Sequence, residues 1–214
     1  MNAMARRAIL LLAVLVALLG GAGARASLAL YTATATLGGN TLTTATVFCT
    51  NPGGQTLTAS ADSYIDQANP GTNYGTATTL NVQAAASSKN QRTLVQFTLP
   101  TLPAHCAITA ATMRLYATTA KTGRTYQAYQ VAAAWTETGV TWTNQPATTG
   151  TPATAATASG WVSWTVTTQL QAIYAGSNFG FLVKDATEST TTTCTNRYSS
   201  RTGANPPQLV ITWG

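Results

Sequence analysis

Trp161-Val162-Ser163-Trp164-Thr165-Val166 is the stretch on which the fold turns. In an extended chain, period two places Trp161 and Ser163 on one face and Val162 and Trp164 on the other. One tryptophan then faces a core and the other faces solvent. Comparable short runs lie on either side: Leu94-Val95-Gln96-Phe97, Thr112-Met113-Arg114-Leu115-Tyr116, Tyr126 to Val131, Phe179 to Lys184 and Leu209 to Trp213. Turn signals divide them at Asn69-Pro70-Gly71, Leu99-Pro100, Leu102-Pro103, Lys121-Thr122-Gly123, Gln145-Pro146 and Asn205-Pro206-Pro207. Many short strands without a sustained helical period predict an all-β, antiparallel β-sandwich. The one helical candidate is Thr167 to Tyr174, where Val166, Leu170, Ile173 and Tyr174 have helical spacing. Thr148 to Ser159 holds only small residues and reads as a surface loop.

Composition agrees with this class. The 214 residues are 45% hydrophobic but only 7% charged, against about 25% charged in an ordinary soluble domain. Roughly one residue in five is threonine, a β-branched, strand-prone type. A charged disordered chain, a coiled coil and a helical bundle are excluded, since each needs Glu, Lys and Leu that this chain lacks. One histidine and five carboxylates leave little for acid–base chemistry, which makes an enzyme the least favoured class.

The amino terminus has the pattern of a secretory signal peptide over residues 1–26. Arg6 and Arg7 precede the apolar run Ala8 to Leu19, and Ala24-Arg25-Ala26 fits the small-residue cleavage rule. That run is about a dozen residues, short of the roughly 20 needed to span a bilayer, so no membrane span is expected after cleavage. Losing Arg6, Arg7 and Arg25 with the leader lowers Lys and Arg from 11 to 8, against 5 Asp and Glu, a net charge of +3. Such a weak, scattered charge argues against nucleic acid as a partner. The mature protein is expected to be secreted, extracellular or at the cell surface.

Residues 27–56 read as an N-terminal arm or β-hairpin, with extended runs flanking Gly38-Gly39-Asn40 and a boundary at Asn51-Pro52-Gly53-Gly54. The main domain is expected over 57–214. Export implies an oxidising setting, so one disulfide is expected among Cys49, Cys106 and Cys194, with one thiol left over. His105-Cys106 could be taken for a catalytic dyad, but adjacent strand residues point to opposite faces.

A set of landmarks in fixed order resembles the DNRLRE domain, a family of secreted β-sandwich modules. They begin at Ala61-Asp62-Ser63-Tyr64-Ile65, Asn69-Pro70 and Asn73-Tyr74-Gly75, and continue through Arg92-Thr93-Leu94-Val95-Gln96-Phe97 and Ala111 to Tyr116. The most distinctive is Trp135-Thr136-Glu137-Thr138-Gly139-Val140-Thr141-Trp142-Thr143-Asn144-Gln145-Pro146. Asn178-Phe179-Gly180-Phe181, Tyr198-Ser199-Ser200-Arg201 and Pro207 to Ile211 complete the set. The resemblance implies a jelly-roll-like sandwich without catalytic residues. It also implies overlap with carbohydrate-binding modules, some of which recognise acidic polysaccharides. Separately, Ser27 to Thr34 followed by Gly39-Asn40-Thr41-Leu42-Thr43 looks like the mature start of camelysin-type biofilm fibre subunits. In those, an N-terminal strand of one subunit completes the sheet of the next.

Two sets of residues are candidates for chemistry. Trp135, Glu137 and Trp142 suit a sugar platform, because aromatic faces stack on sugar rings and nearby polar groups fix orientation. Tyr74 is a further rim candidate, and Arg92 and Arg201 have the forked geometry that suits carboxylate-bearing sugars. Arg114, in mid-strand, reads instead as a structural charge, with Glu137 as a possible partner. Asp62, Asp66 and the distant Asp185 are the oxygen ligands available to a calcium ion. The simpler reading is that Asp62 caps a turn and Asp66 is solvated. The leading expectation is thus a secreted, non-catalytic module that binds polysaccharide. The alternative is a surface or matrix fibre subunit that polymerises with copies of itself through its N-terminal strand.

Overall fold

The computed structural model describes Phe48–Gly214 throughout and, before them, the backbone of Ala35–Leu37 and Asn40–Leu42. Those two segments are strands β1 (Ala35–Leu37) and β2 (Asn40–Leu42), paired antiparallel with Ala35 opposite Leu42. The leader expected at 1–26 and the rest of the arm before Phe48 lie outside the described residues.

The unit Phe48–Gly214 contains strands β3 (Gly53–Asp66), β4 (Thr79–Ala84), β5 (Gln91–Phe97), β6 (Ile108–Thr119) and β7 (Thr125–Val131). It continues with β8 (Thr148–Ala156), β9 (Gly160–Thr165), helix α1 (Thr167–Ala175), β10 (Phe181–Asp185), β11 (Cys194–Ser199) and β12 (Gln208–Trp213). Every ladder is antiparallel. Residues 48–56, which sequence assigns to the arm, belong to this unit. Cys49 is bonded to Cys106 and Gly53 already pairs with Trp213.

The class is all-β and antiparallel, as the alternation predicts, but in place of the two separate sheets of a sandwich the ladders close on themselves. The long strand β3 pairs β12 through Gly53–Thr58 and β5 through Ala59–Asp66, with an irregularity between Ala59 and Ala61. From there the path β12–β6–β11–β4–β5 returns to β3, giving a ring of six strands. Closure of this kind removes exposed strand edges. One wall is formed by β9, β6, β12 and the first half of β3; the other by the second half of β3 with β5, β10, β7 and β8.

Between the walls lies the main core, where the largest fully buried side chains include Trp164, Tyr126, Tyr198, Phe97 and Phe181. Met113 and Leu115 enter it from β6, Val162 and Trp164 from β9, Leu209 and Ile211 from β12. Phase therefore falls as the period predicts, with Trp164 inside and Trp161 outside. Helix α1 buries Leu170 and Ile173, while the Tyr174 hydroxyl donates to Pro100 O at 2.9 Å.

The segment 148–156, read as a loop, is strand β8. It pairs along β7 from Thr125 opposite Ala156 to Val131 opposite Thr148. Its small side chains carry little burial signal in the sequence; the backbone ladder holds it, helped by Ala153 and Ala155 against the main core and by Gln169 Nε2 donating to Thr151 O at 2.8 Å.

Candidate functional site

The distinctive segment connects β7 to β8, and its base is closed by Ala132 N–H donating to Ala147 O at 2.8 Å. Above the base, Gly139 and Val140 N–H both donate to Thr136 O, and the Asn144 side chain links Thr141 N–H to Gly139 O. The turn from β3 grips the loop from outside. Asn73 Nδ2 donates to Glu137 O at 2.8 Å and to Val140 O at 2.7 Å, and Thr143 N–H donates to Pro70 O. Gly75 makes this approach possible, since a Cβ there would lie 2.0 Å from Glu137 O.

Beneath the loop is a second apolar core. Ile65, Leu94 and Leu182 point outward from the β5 wall, and with Val131 and Val140 they are buried by Trp135, Trp142 and Phe179. Trp135 is further tied by its indole N–H, which donates to Phe179 O at 2.8 Å. Both candidate tryptophans are therefore structural on one side. Each is only half-buried, and the outer side of Trp135 lines an open hollow of about 320 Å³ with Thr136, Gly139 and Asn144.

The charged candidates meet partners that spacing did not indicate. Arg92 forms a two-pronged pair with Glu188, Nε to Oε1 and Nη2 to Oε2 both at 2.7 Å, and donates from Nη1 to Gln145 Oε1 at 2.8 Å. Its guanidinium lies 4.5 Å from the Trp142 ring centre, a cation–π arrangement. A second hollow runs beside it, lined also by Gln145, Thr148 and Lys184.

Glu137 pairs with Arg201, whose Nη2 donates to Oε2 at 2.7 Å while Nε donates to Oε1. Asp62 completes this cluster from β3. Its backbone N–H donates to Glu137 Oε1 at 2.9 Å, and its own carboxylate Oδ2 accepts Arg201 N–H at 2.6 Å. The Arg201 guanidinium holds the Glu137 carboxyl below its ordinary range. Burial pushes Asp62 up to about 6, against the opposing pull of the Arg201 N–H. Tyr74 stacks on Tyr64, ring centres 4.2 Å apart, and burial pushes the Tyr64 hydroxyl up to about 12.

Several expectations need correction. Arg114 does not meet Glu137; its Nε donates to Gln208 Oε1 at 2.7 Å. Asp62, Asp66 and Asp185 do not form a calcium set, and among the described residues no group of three or more His, Cys, Asp or Glu is placed to hold a metal ion. Asp66 accepts Ala68 N–H and Asn69 Nδ2, and Asp185 accepts two bonds from Arg124 and one from Thr187 N–H. Oxygens already committed to protein donors, one pair of them against a guanidinium, do not suit a hard cation. The disulfide joins Cys49 to Cys106, and Cys194 is a buried thiol. With Cys106 bonded and His105 exposed, the dyad is excluded.

Residues 54–213, nearly the whole described unit, match the model of carbohydrate-binding module family 96. The chain belongs to that family. No curated protein matches it. In this module of family 96, Trp135 lines the first hollow and Arg92 the second, whereas Glu137, Trp142, Arg201 and Tyr74 line neither. Of the residues that hold them, Glu188 stands in none of the sequence landmarks, and Asn73 and Gln145 stand in them without any sign of their partners. Among the described residues no helix is long and apolar enough to cross a membrane.

Proposed function

We propose that the protein is an exported, non-catalytic module that holds polysaccharide against the outer side of the 132–147 loop. Membership of family 96 over residues 54–213 carries this reading. On that face Trp135 and Trp142 offer the aromatic surface and Tyr74 the rim. Arg92 and Arg201 are neutralised by Glu188 and Glu137, so they act as fixed donors to sugar hydroxyls rather than as free cations. A non-catalytic role is supported by the engagement of Asp62, Asp66, Asp185, Glu137 and Glu188 in structural bonds; of the one adjacent pair, Asp62 is buried and Glu137 is held by the Arg201 fork, an arrangement unlike an acid and a base set across an open cleft. Export is supported by the Cys49–Cys106 bond, which persists in oxidising compartments.

The test is electrophoresis in native gels cast with neutral and acidic polysaccharides. Retardation by one polymer, reversed by its free oligosaccharide, is the expected result. Unaltered mobility across the panel would sink the reading.

A further inference from the structure

The opposite wall has an outer face of a different kind. From β6, Thr112, Arg114 and Tyr116 point away from the main core, because Ala111, Met113, Leu115 and Ala117 point into it. The ladder sets Tyr116 opposite Trp161, Arg114 opposite Ser163 and also opposite Gln208, and Thr112 opposite Thr165. Trp161 is 36% exposed, and it and Phe48 are the exposed large hydrophobic residues among those described. Its ring meets the Tyr116 ring edge-on with centres 5.4 Å apart, and the Arg114 guanidinium lies 4.8 Å from its centre.

Arg114 is the feature that assigns a ligand. The chain has five side-chain carboxylates. Glu137 is held by Arg201, Glu188 by Arg92 and Asp185 by Arg124. Asp62 accepts Arg201 N–H, and Asp66 caps its own turn. None is left for Arg114, whose one protein hydrogen bond among the described residues runs from Nε to the neutral Gln208 side chain. Among the described residues nothing bonds to the Nη edge of the fork, which is held beside an exposed indole by that bond and by the ring.

We propose that this face, centred on Trp161, Tyr116 and Arg114, is a second carbohydrate surface, specific for a sugar chain bearing carboxylate or sulfate groups. The inference rests on the carbohydrate reading above and adds a separate site to it. The apolar side of a pyranose ring packs on the exposed aromatic surface. Its anionic substituent then meets the guanidinium fork, which matches such groups with two parallel bonds. Exposed hydroxyls of Ser163 and Thr165 border the site for the remaining ring oxygens.

The experiment uses the full chain, W161A, R114Q and the loop-face variant Y74A in native gels containing polygalacturonate, dextran sulfate or dextran. Wild type is expected to be retarded by at least one of the two anionic polymers, the two arms separating carboxylate from sulfate. W161A should lose that retardation, and R114Q should weaken binding about tenfold or more. Retardation that W161A and R114Q both leave intact while Y74A reduces it overturns the second surface and keeps the carbohydrate reading. Retardation by dextran alone does the same. No retardation by any polymer overturns both. A W161A protein that melts well below wild type, with R114Q binding normally, would assign the face to packing and also overturn the proposal.

Discussion

The two outer faces of the ring differ in what they need. The β5 wall turns Ile65, Leu94 and Leu182 outward, a surface that water would penalise at about 25 cal/mol per Å². The 132–147 loop covers it, and Trp135 and Trp142 are part of the cover. The β6 wall turns Thr112, Arg114 and Tyr116 outward and is left open among the described residues. A tryptophan thus has opposite meanings on the two walls: Trp135 and Trp142 hold a core, whereas Trp161 has no apolar layer of its own to seal. Cations differ in the same way. Arg92 and Arg201 are paired with acids, and Arg114 is not.

The contrast can be broken most directly on the covered side. W135A removes an indole from the second core together with its bond to Phe179, and should cost about 3 kcal/mol in urea unfolding. A loss no greater than that of an ordinary surface substitution would show that the loop covers nothing of consequence. G75A forces a methyl group against Glu137 O and should cost about 2 kcal/mol while lifting the loop. Faster backbone hydrogen exchange across 136–141 would report the lifting, and unchanged exchange would contradict the close approach.

Acidity sharpens the comparison further. Asp62 has an ordinary value of 3.8 and a folded value of about 6, so the folded state holds the extra proton between them. This group's contribution is therefore complete below pH 3.8 and is lost as pH rises through 6. Glu137 works in the opposite sense. Its folded value is depressed below 4.5, so its contribution is present above 4.5 and lost as pH falls through the folded value. Between pH 4.5 and 7, Asp62 governs, and wild type should lose about 1–2 kcal/mol relative to D62N, whose side-chain oxygen still accepts Arg201 N–H. Parallel stabilities of the two proteins across that range would refute the assignment. The smallest effect belongs to the open wall, where W161A gives up only its edge contact with Tyr116 and its cation–π contact with Arg114 and should cost about 1 kcal/mol.

How much of this was legible before folding depended on the size of the side chains. Strand β9 could be phased because Trp161 and Trp164 differ so visibly from Val162 and Ser163 in what burial does to them. Helix α1 announced itself through Leu170 and Ile173. Strand β8 could not, since Thr148 to Ala156 places no large group on either face. Within the site, scarcity drew attention to Glu137, Arg201 and Asp62 one by one, as charges in a chain with few. Their meeting was invisible because Asp62 comes from β3, Glu137 from the β7–β8 loop and Arg201 from the β11–β12 connection. Arg114 and Glu137, both singled out, were matched wrongly for the same reason: pairing is decided by which wall a residue occupies, and Tyr116 and Met113 show only its phase.

The Cys49–Cys106 bond has a mechanical consequence. Thr50 N–H and its hydroxyl both donate to Ala104 O, so the chain is clasped to the β5–β6 connection at the sulfur bridge and again at the residue after it. Tension entering through the residues before Phe48 would reach Cys49 and be shunted into that connection before it could act on Gly53. Strand β3 would then not be peeled from β12 one rung at a time, because the load bypasses its free end. A tether pulled from its amino terminus should hold until the covalent clasp is reduced, and slip readily afterwards.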